Sequence, residues 1–209
     1  MQKIADKWLR AILAGFMIAV GGTLFLSVDS KYMGSFLFGI GLFTILVFRL
    51  FLFTGKVGYA VQEKPAYLVD LLIIWLGNLI GTVGVGLMML QTRSADALRA
   101  KAAAMCQIKL NDSLVSIFVL SIFCGVMMFL AADNFKKAEN AMQKNIGIFL
   151  PVMVFILCGF EHCVANMFYF TIAEAWSAKA LGYLVVMSLG NSVGAFIFPL
   201  CEKVFKKTV

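Results

Sequence analysis

The chain has 209 residues, of which 62% are hydrophobic and 14% charged, with a formal net charge of +7; its mean hydropathy is +0.93. No soluble domain of this length can bury so much apolar surface, so the composition excludes a soluble globule and marks an integral membrane protein. It also excludes nucleic-acid binding as the meaning of the charge, because the basic residues sit at the ends of apolar runs, as orientation signals do.

The length accommodates about six spans of roughly 20 residues, in a single membrane domain. The first is expected at 8–28, after a basic start at Lys3, Lys7 and Arg10; the apolar run is too long for a signal peptide and no A-x-A cleavage site follows it. The second covers 33–61 and is interrupted at 52–56, where Thr54, Gly55 and Lys56 fall inside apolar sequence. The third covers 66–90. A polar stretch follows at 91–112, whose Ala-rich middle (95–105) predicts a short surface helix. Span four is expected at 113–132, opened on the outer side by Lys109 and Asp112, and 133–145 reads as a charged loop. Span five, 146–172, is interrupted at 159–162 by Gly159, Phe160, Glu161 and His162. Span six, 180–201, ends in Lys203, Lys206 and Lys207.

Polar, Gly-containing breaks are costly in lipid and persist where irregular backbone is buried in protein or lines a water-filled cavity. Here the two halves echo each other. Gly77-Asn78-Leu79-Ile80-Gly81 in span three matches Gly190-Asn191-Ser192-Val193-Gly194 in span six, and the second span of each half is the broken one. Three spans per repeat is an odd number, so the second repeat (113–201) must lie upside down relative to the first (8–90). Inverted repeats of this kind, with broken helices meeting near the midplane, are an architecture of transporters and channels.

Orientation follows from the basic residues. One side receives Lys3, Lys7, Arg10, Lys56, Lys64, Lys136, Lys137, Lys144, Lys203, Lys206 and Lys207; the other receives Lys31, Arg93, Arg99, Lys101, Lys109 and Lys179. The richer side holds both termini and is predicted to be cytoplasmic.

Ionisable groups at membrane depth are functional-site candidates by default. His162 is the only histidine, beside Glu161. A lone His with no H-E-x-x-H offers neither a zinc-hydrolase site nor a metal site, and the sequence suggests no cofactor. Thr54 offers a hydroxyl donor to a pore, or a back-bond to its own helix. Asn78 and Asn191 read as interhelical hydrogen-bonding amides. Lys109 either draws anions into a vestibule or snorkels at a helix end. The five cysteines (Cys106, Cys124, Cys158, Cys163, Cys201) show no C-x-x-C spacing, and four lie in apolar runs as small buried hydrophobes.

At these residues the chain resembles the formate/nitrite transporter family over nearly all its length. The run from Gly159 through Phe168 (Gly-Phe-Glu-His-Cys-Val-Ala-Asn-Met-Phe) is similar to that family's span-five signature, and Leu52-Phe53-Thr54-Gly55 resembles its span-two loop motif. Cys124 through Ala131 resembles the span-four motif, with Gly125 where an Asn is usual and Phe129 where a Cys is common. The resemblance implies an all-α, aquaporin-like protomer of six transmembrane helices with helices two and five broken, assembled as a homopentamer in the cytoplasmic membrane. It implies transport of small monovalent anions: formate, nitrite, hydrosulfide or related weak acids. Carried over by motif, His162 is the central pore histidine, with Glu161 and Asn166 beside it. Thr54 is the loop threonine and Lys109 the vestibule lysine. Phe38 and Phe155 match the outer hydrophobic constriction, and Leu42, Leu52, Phe53 and Met128 fall at or near the inner one.

A bare anion loses hydration at large cost in an apolar constriction, so a proton shared at His162 would let a neutral acid cross instead. Two other readings stay open at this stage. A neutral-solute pore of the aquaporin type would want paired Asn-Pro-Ala motifs, and a membrane subunit of a respiratory complex would want His, Cys or acidic clusters; the sequence has neither.

Overall fold

The computed structural model describes residues 2–205, so Lys206 and Lys207 of the orientation argument lie outside it. Its elements are α1 (Gln2–Ser27), α2 (Lys31–Val47), α3 (Phe53–Lys56), a 3-10 segment (Val57–Val61), α4 (Tyr67–Met89), α5 (Ala95–Asn111), α6 (Leu114–Lys137), α7 (Ala141–Leu157), α8 (Cys163–Ile172) and α9 (Ala178–Phe205). Among the described residues α1, α4, α6 and α9 are long and apolar enough to cross a membrane, whereas α2, α7 and α8 are shorter apolar helices. No strand occurs among the described residues.

The long helices pair closely, α1 on α4 and α6 on α9, while α2 packs on α7 between the pairs. Small residues permit this approach, as they do where membrane helices have no hydrophobic drive to associate. A Cβ on Gly15 would collide with the backbone oxygen of Asn78, and one on Gly125 with the backbone oxygen of Asn191. Gly125 is therefore a contact point between α6 and α9, and any larger residue there would push the two helices apart. Outward faces stay apolar: Leu68, Val69, Leu72, Leu150, Val185 and Leu189 are all exposed on the protomer. An exposed apolar surface of this extent belongs against lipid or other subunits.

Several boundaries differ from the sequence reading for identifiable reasons. The first break lies at 48–52, ahead of the expected 52–56, and Thr54, Gly55 and Lys56 form helix α3 instead. Helix α6 continues into the expected loop as far as Lys137, where Lys137 pairs with Asp133 one turn back at 2.7 Å. The start of α1 extends to Gln2, supported by an Asp6–Arg10 pair at 2.9 Å with the same i,i+4 spacing. Helix α5 runs to Asn111, well past 105, because Leu98, Ala102 and Cys106 form a buried stripe. Lys109 therefore sits on the last turn of α5 and does not open the fourth span. Among the cysteines, Cys106, Cys124 and Cys163 are buried, but Cys158 and Cys201, expected to pack as buried hydrophobes, are exposed on the protomer.

Outside the bundle, Lys101 of α5 holds the turn between α1 and α2 by donating to Val28 O at 3.2 Å and to Asp29 Oδ1 at 2.8 Å. That hydrogen bond, with the lysine's charge, keeps the Asp29 carboxyl below its ordinary value.

Candidate pore and its two mouths

Both breaks leave backbone groups that must be satisfied inside the protein. Two buried asparagines do this in the same way. Asn78 accepts from the first amide of α3 (Phe53 N, 2.8 Å) and donates to Phe51 O (2.9 Å) and to Ala11 O of α1 (2.8 Å). Asn191 accepts from the first amide of α8 (Cys163 N, 2.9 Å) and donates to Glu161 O (2.7 Å) and to Ser121 O of α6 (2.8 Å). The rest of each break matches bond for bond. Phe51 N donates to Arg10 O at 3.2 Å and Glu161 N to Leu120 O at 3.3 Å; Leu50 N reaches Ile45 O and Phe160 N reaches Phe155 O, both at 2.8 Å. A left-handed residue sits at the same point of each turn, Arg49 at φ 54 and Gly159 at φ 71. The two G-N-x-x-G asparagines are thus the residues that fold the breaks, which agrees with their reading as hydrogen-bonding amides between helices.

The half-helices bring two polar side chains together. Thr54 of α3 and His162, the N-cap of α8, are buried, with Oγ1 and Nε2 3.0 Å apart. The Ala165 amide, which can only donate, gives its hydrogen bond to His162 Nδ1 at 3.0 Å. Nδ1 is therefore an acceptor and the ring's proton is on Nε2, which donates to Thr54 Oγ1. The threonine hydroxyl hydrogen is left to donate elsewhere. Thr54 is thus bonded to the opposite half-helix, not back-bonded to its own.

Apolar rings flank this pair. Phe155 stacks on the His162 ring at 5.6 Å between centroids, and Phe38 meets Phe155 edge-on at 5.7 Å and 84°. A cavity of about 260 Å³ reaches this point from one side, lined by Phe155, His162, Lys31, Lys109, Glu161 and Asn166, among others. A second cavity, of about 570 Å³, opens on the side of the N-terminus and has Leu42, Ile45 and Leu52 in its apolar lining. Phe38, Phe53 and Met128 are buried and line neither cavity.

In the smaller cavity Lys109 donates to both carboxylate oxygens of Glu161 at 2.7 Å, and both side chains are largely buried. Asn166 donates to Glu161 Oε2 at 2.8 Å and to His162 O at 3.0 Å, while its own Oδ1 is buried without a partner among the described residues. Lys31 crosses the rim to donate to Leu157 O, at the end of α7, at 3.0 Å. The structure thus brings together His162, Thr54, Glu161, Asn166 and Lys109. It ties the expected vestibule lysine to Glu161 in an ion pair.

Sequence reasoning overlooked the larger cavity. Its lining includes Arg10, Arg49, Lys56 and Lys136 with one carboxylate, Asp6. Arg10 is engaged by Asp6 and by Arg49 O at 3.3 Å. Lys136 lies 3.5 Å from the Tyr59 ring centroid, and Lys56 lies 4.8 Å from that of Phe51. Arg49 was assigned to neither side, although an arginine within an apolar run is itself a signal of a special position.

A bundle of apolar helices in which two half-helices meet at a buried polar pair, with a cavity on either side, defines a membrane channel or transporter. The chain belongs to the formate/nitrite transporter family: the family model described as "Formate/nitrite transporter" matches residues 1–204. Among curated relatives, the chain is 27% identical to the "Probable formate transporter" of Methanothermobacter thermautotrophicus, over 91% of this chain and 85% of that protein. It is 29% identical to the "Uncharacterized transporter YrhG" of Bacillus subtilis, over 81% and 69% respectively. It is 26% identical to the "Nitrite transporter NirC" of Escherichia coli, over 91% and 80%. Among solved structures, "Pentameric formate channel with formate bound" superposes with a TM-score of 0.87 at 24% identity, covering 100% of this chain and 99% of that one.

Proposed function

We propose that the protein is a pore for small monovalent weak-acid anions, formate, nitrite or hydrosulfide, working as an aquaporin-like protomer of two inverted three-helix repeats. The proposal extends to a homopentamer in the cytoplasmic membrane with both termini in the cytoplasm. The matched bonds of Asn78 and Asn191 support the repeats. The solved pentamer and the names of the curated relatives support the assembly and the substrate class.

The observation that carries the reading is the Thr54–His162 pair lying behind Phe155, with the Leu42 and Leu52 side chains on the approach from the other mouth. An anion entering past Lys109 and Lys31 meets the Thr54 hydroxyl, whose oxygen is occupied by Nε2–H and whose hydrogen is free to donate. A hydronium ion from the cavity gives its proton to the ring, leaving water behind; the imidazolium passes one proton to the anion, forming the neutral acid, and returns to the Nε2–H form that accepts from the Ala165 amide. The neutral acid crosses the apolar ring without the cost of a dehydrated charge. Protons are thus a second partner.

Membership in a transporter family favours transport over a respiratory-complex subunit. The cationic lining of the larger cavity, with Lys31 at the rim of the smaller one, favours anions over neutral solutes. Recordings from purified protein in planar bilayers, comparing formate, nitrite and hydrosulfide with glycerol flux in matched liposomes, test the reading. Saturable anion transport without glycerol flux is expected; glycerol flux without anion transport would overturn it.

A further inference from the structure

The two mouths are not equivalent, although the breaks that build them match bond for bond. Where the α7–α8 break carries Glu161, which neutralises Lys109, the α2–α3 break carries Phe51. Arg10 and Lys56 have the Phe51 ring as a neighbour, and the one carboxylate in the cavity lining is Asp6. Arg10 has Asp6, but Arg49 and Lys56 have no ion-pair partner among the described residues. Arg49 is also strained. It occupies the left-handed position that glycine fills in the other break, and a side chain is retained there against its backbone preference. Strain kept at the mouth of a pore points to a use for the side chain.

We propose that the mouth on the side of the termini holds a second anion station, in which the Arg49 guanidinium and the Lys56 ammonium take a small monovalent carboxylate just before Leu42 and Leu52. The guanidinium fork matches a carboxylate's two oxygens, and the lysine adds a point charge. The cavity of about 570 Å³ leaves room for the anion to keep part of its water. The station raises the local anion concentration at this mouth and gives the pore a lower half-saturation from this side than from the other. This inference rests on the reading of the chain as an anion pore.

The test compares formate uptake into intact cells and into everted vesicles carrying the full chain. Orientation is fixed in the same membranes by impermeant labelling of a cysteine placed at Lys3. Arg49→Gly removes the charge and relieves the backbone, so lost folding cannot mimic the effect. The half-saturation concentration on the side of the termini is expected to rise about five- to tenfold at low salt, the size expected for one unit charge a few ångström away in a wet cavity. The rise should shrink below about twofold at high salt. Half-saturation from the other side and the Tm should not worsen, and Arg49→Lys should restore uptake to within about twofold. An unchanged value on the side of the termini, an equal rise on both sides, or no rescue by Lys overturns the station while leaving the pore reading intact. Absence of saturable formate uptake by the wild type from either side overturns the pore reading and the station with it.

Discussion

Asn191→Leu tests how the second half-helix is held in place. The amide makes three buried hydrogen bonds, at 2.9, 2.8 and 2.7 Å, and leucine of similar volume makes none. Interhelical hydrogen bonds in membrane proteins average about 0.6 kcal/mol each, which sets a floor of about 2 kcal/mol. Orphan accounting gives more. The Cys163 amide, at the start of α8, and the Glu161 carbonyl, in the break, have no helical alternative, and each unsatisfied group costs about 1–3 kcal/mol. The expected destabilisation is therefore about 2–6 kcal/mol, read as a fall in the midpoint of unfolding in detergent. Asn191→Asp separates the two functions of the amide. It keeps the acceptor for Cys163 but faces two carbonyl oxygens with another oxygen, so its loss should approach that of Leu. A loss below about 1 kcal/mol for Asn191→Leu, with transport intact, would refute the reasoning that this side chain holds the break.

Other outcomes follow from the same geometry. Lys109→Met leaves Glu161 buried and unpaired, and should destabilise by about 3–5 kcal/mol; adding Glu161→Gln should recover most of that, and the two losses should not sum. Phe38→Ala with Phe155→Ala opens the aromatic barrier and should raise anion leak, while unchanged conductance would place the narrow point elsewhere. Native mass spectrometry in mild detergent should show pentamers; monomers or dimers alone would contradict the assembly.

The second break was legible because its polar residues are the break: Gly159 supplies the left-handed turn, and Glu161 and His162 stand out in apolar sequence. The first break was misplaced because its five residues, 48–52, read Phe-Arg-Leu-Phe-Leu, while the conspicuous Thr54-Gly55-Lys56 turned out to be helical. Hydropathy cannot see a turn built from apolar residues whose backbone is satisfied by a distant asparagine. The repeated G-N-x-x-G was visible as a pattern, but its role as the clamp of both breaks needed the positions of Phe53 and Cys163. Lys109 is expected to open the fourth span and instead ends α5, because the buried stripe of α5 continues to Cys106 on alanine and cysteine rather than on large apolar residues. Nothing local marks Arg49 as left-handed, since that conformation is ordinarily a glycine's.

The central claim is that His162 handles the proton that accompanies the anion. His162→Phe keeps an aromatic ring in the space against Phe155 and removes the bonds to Thr54 and to the Ala165 amide, at a cost of about 1–3 kcal/mol. The direct measurement is formate flux against pH in liposomes for wild type and variant, with assembly checked for both. The account predicts that the variant loses the wild-type pH dependence, whether its pore conducts without regard to pH or is closed. A variant that keeps both the wild-type rate and the wild-type pH profile would make His162 a structural residue and contradict the account.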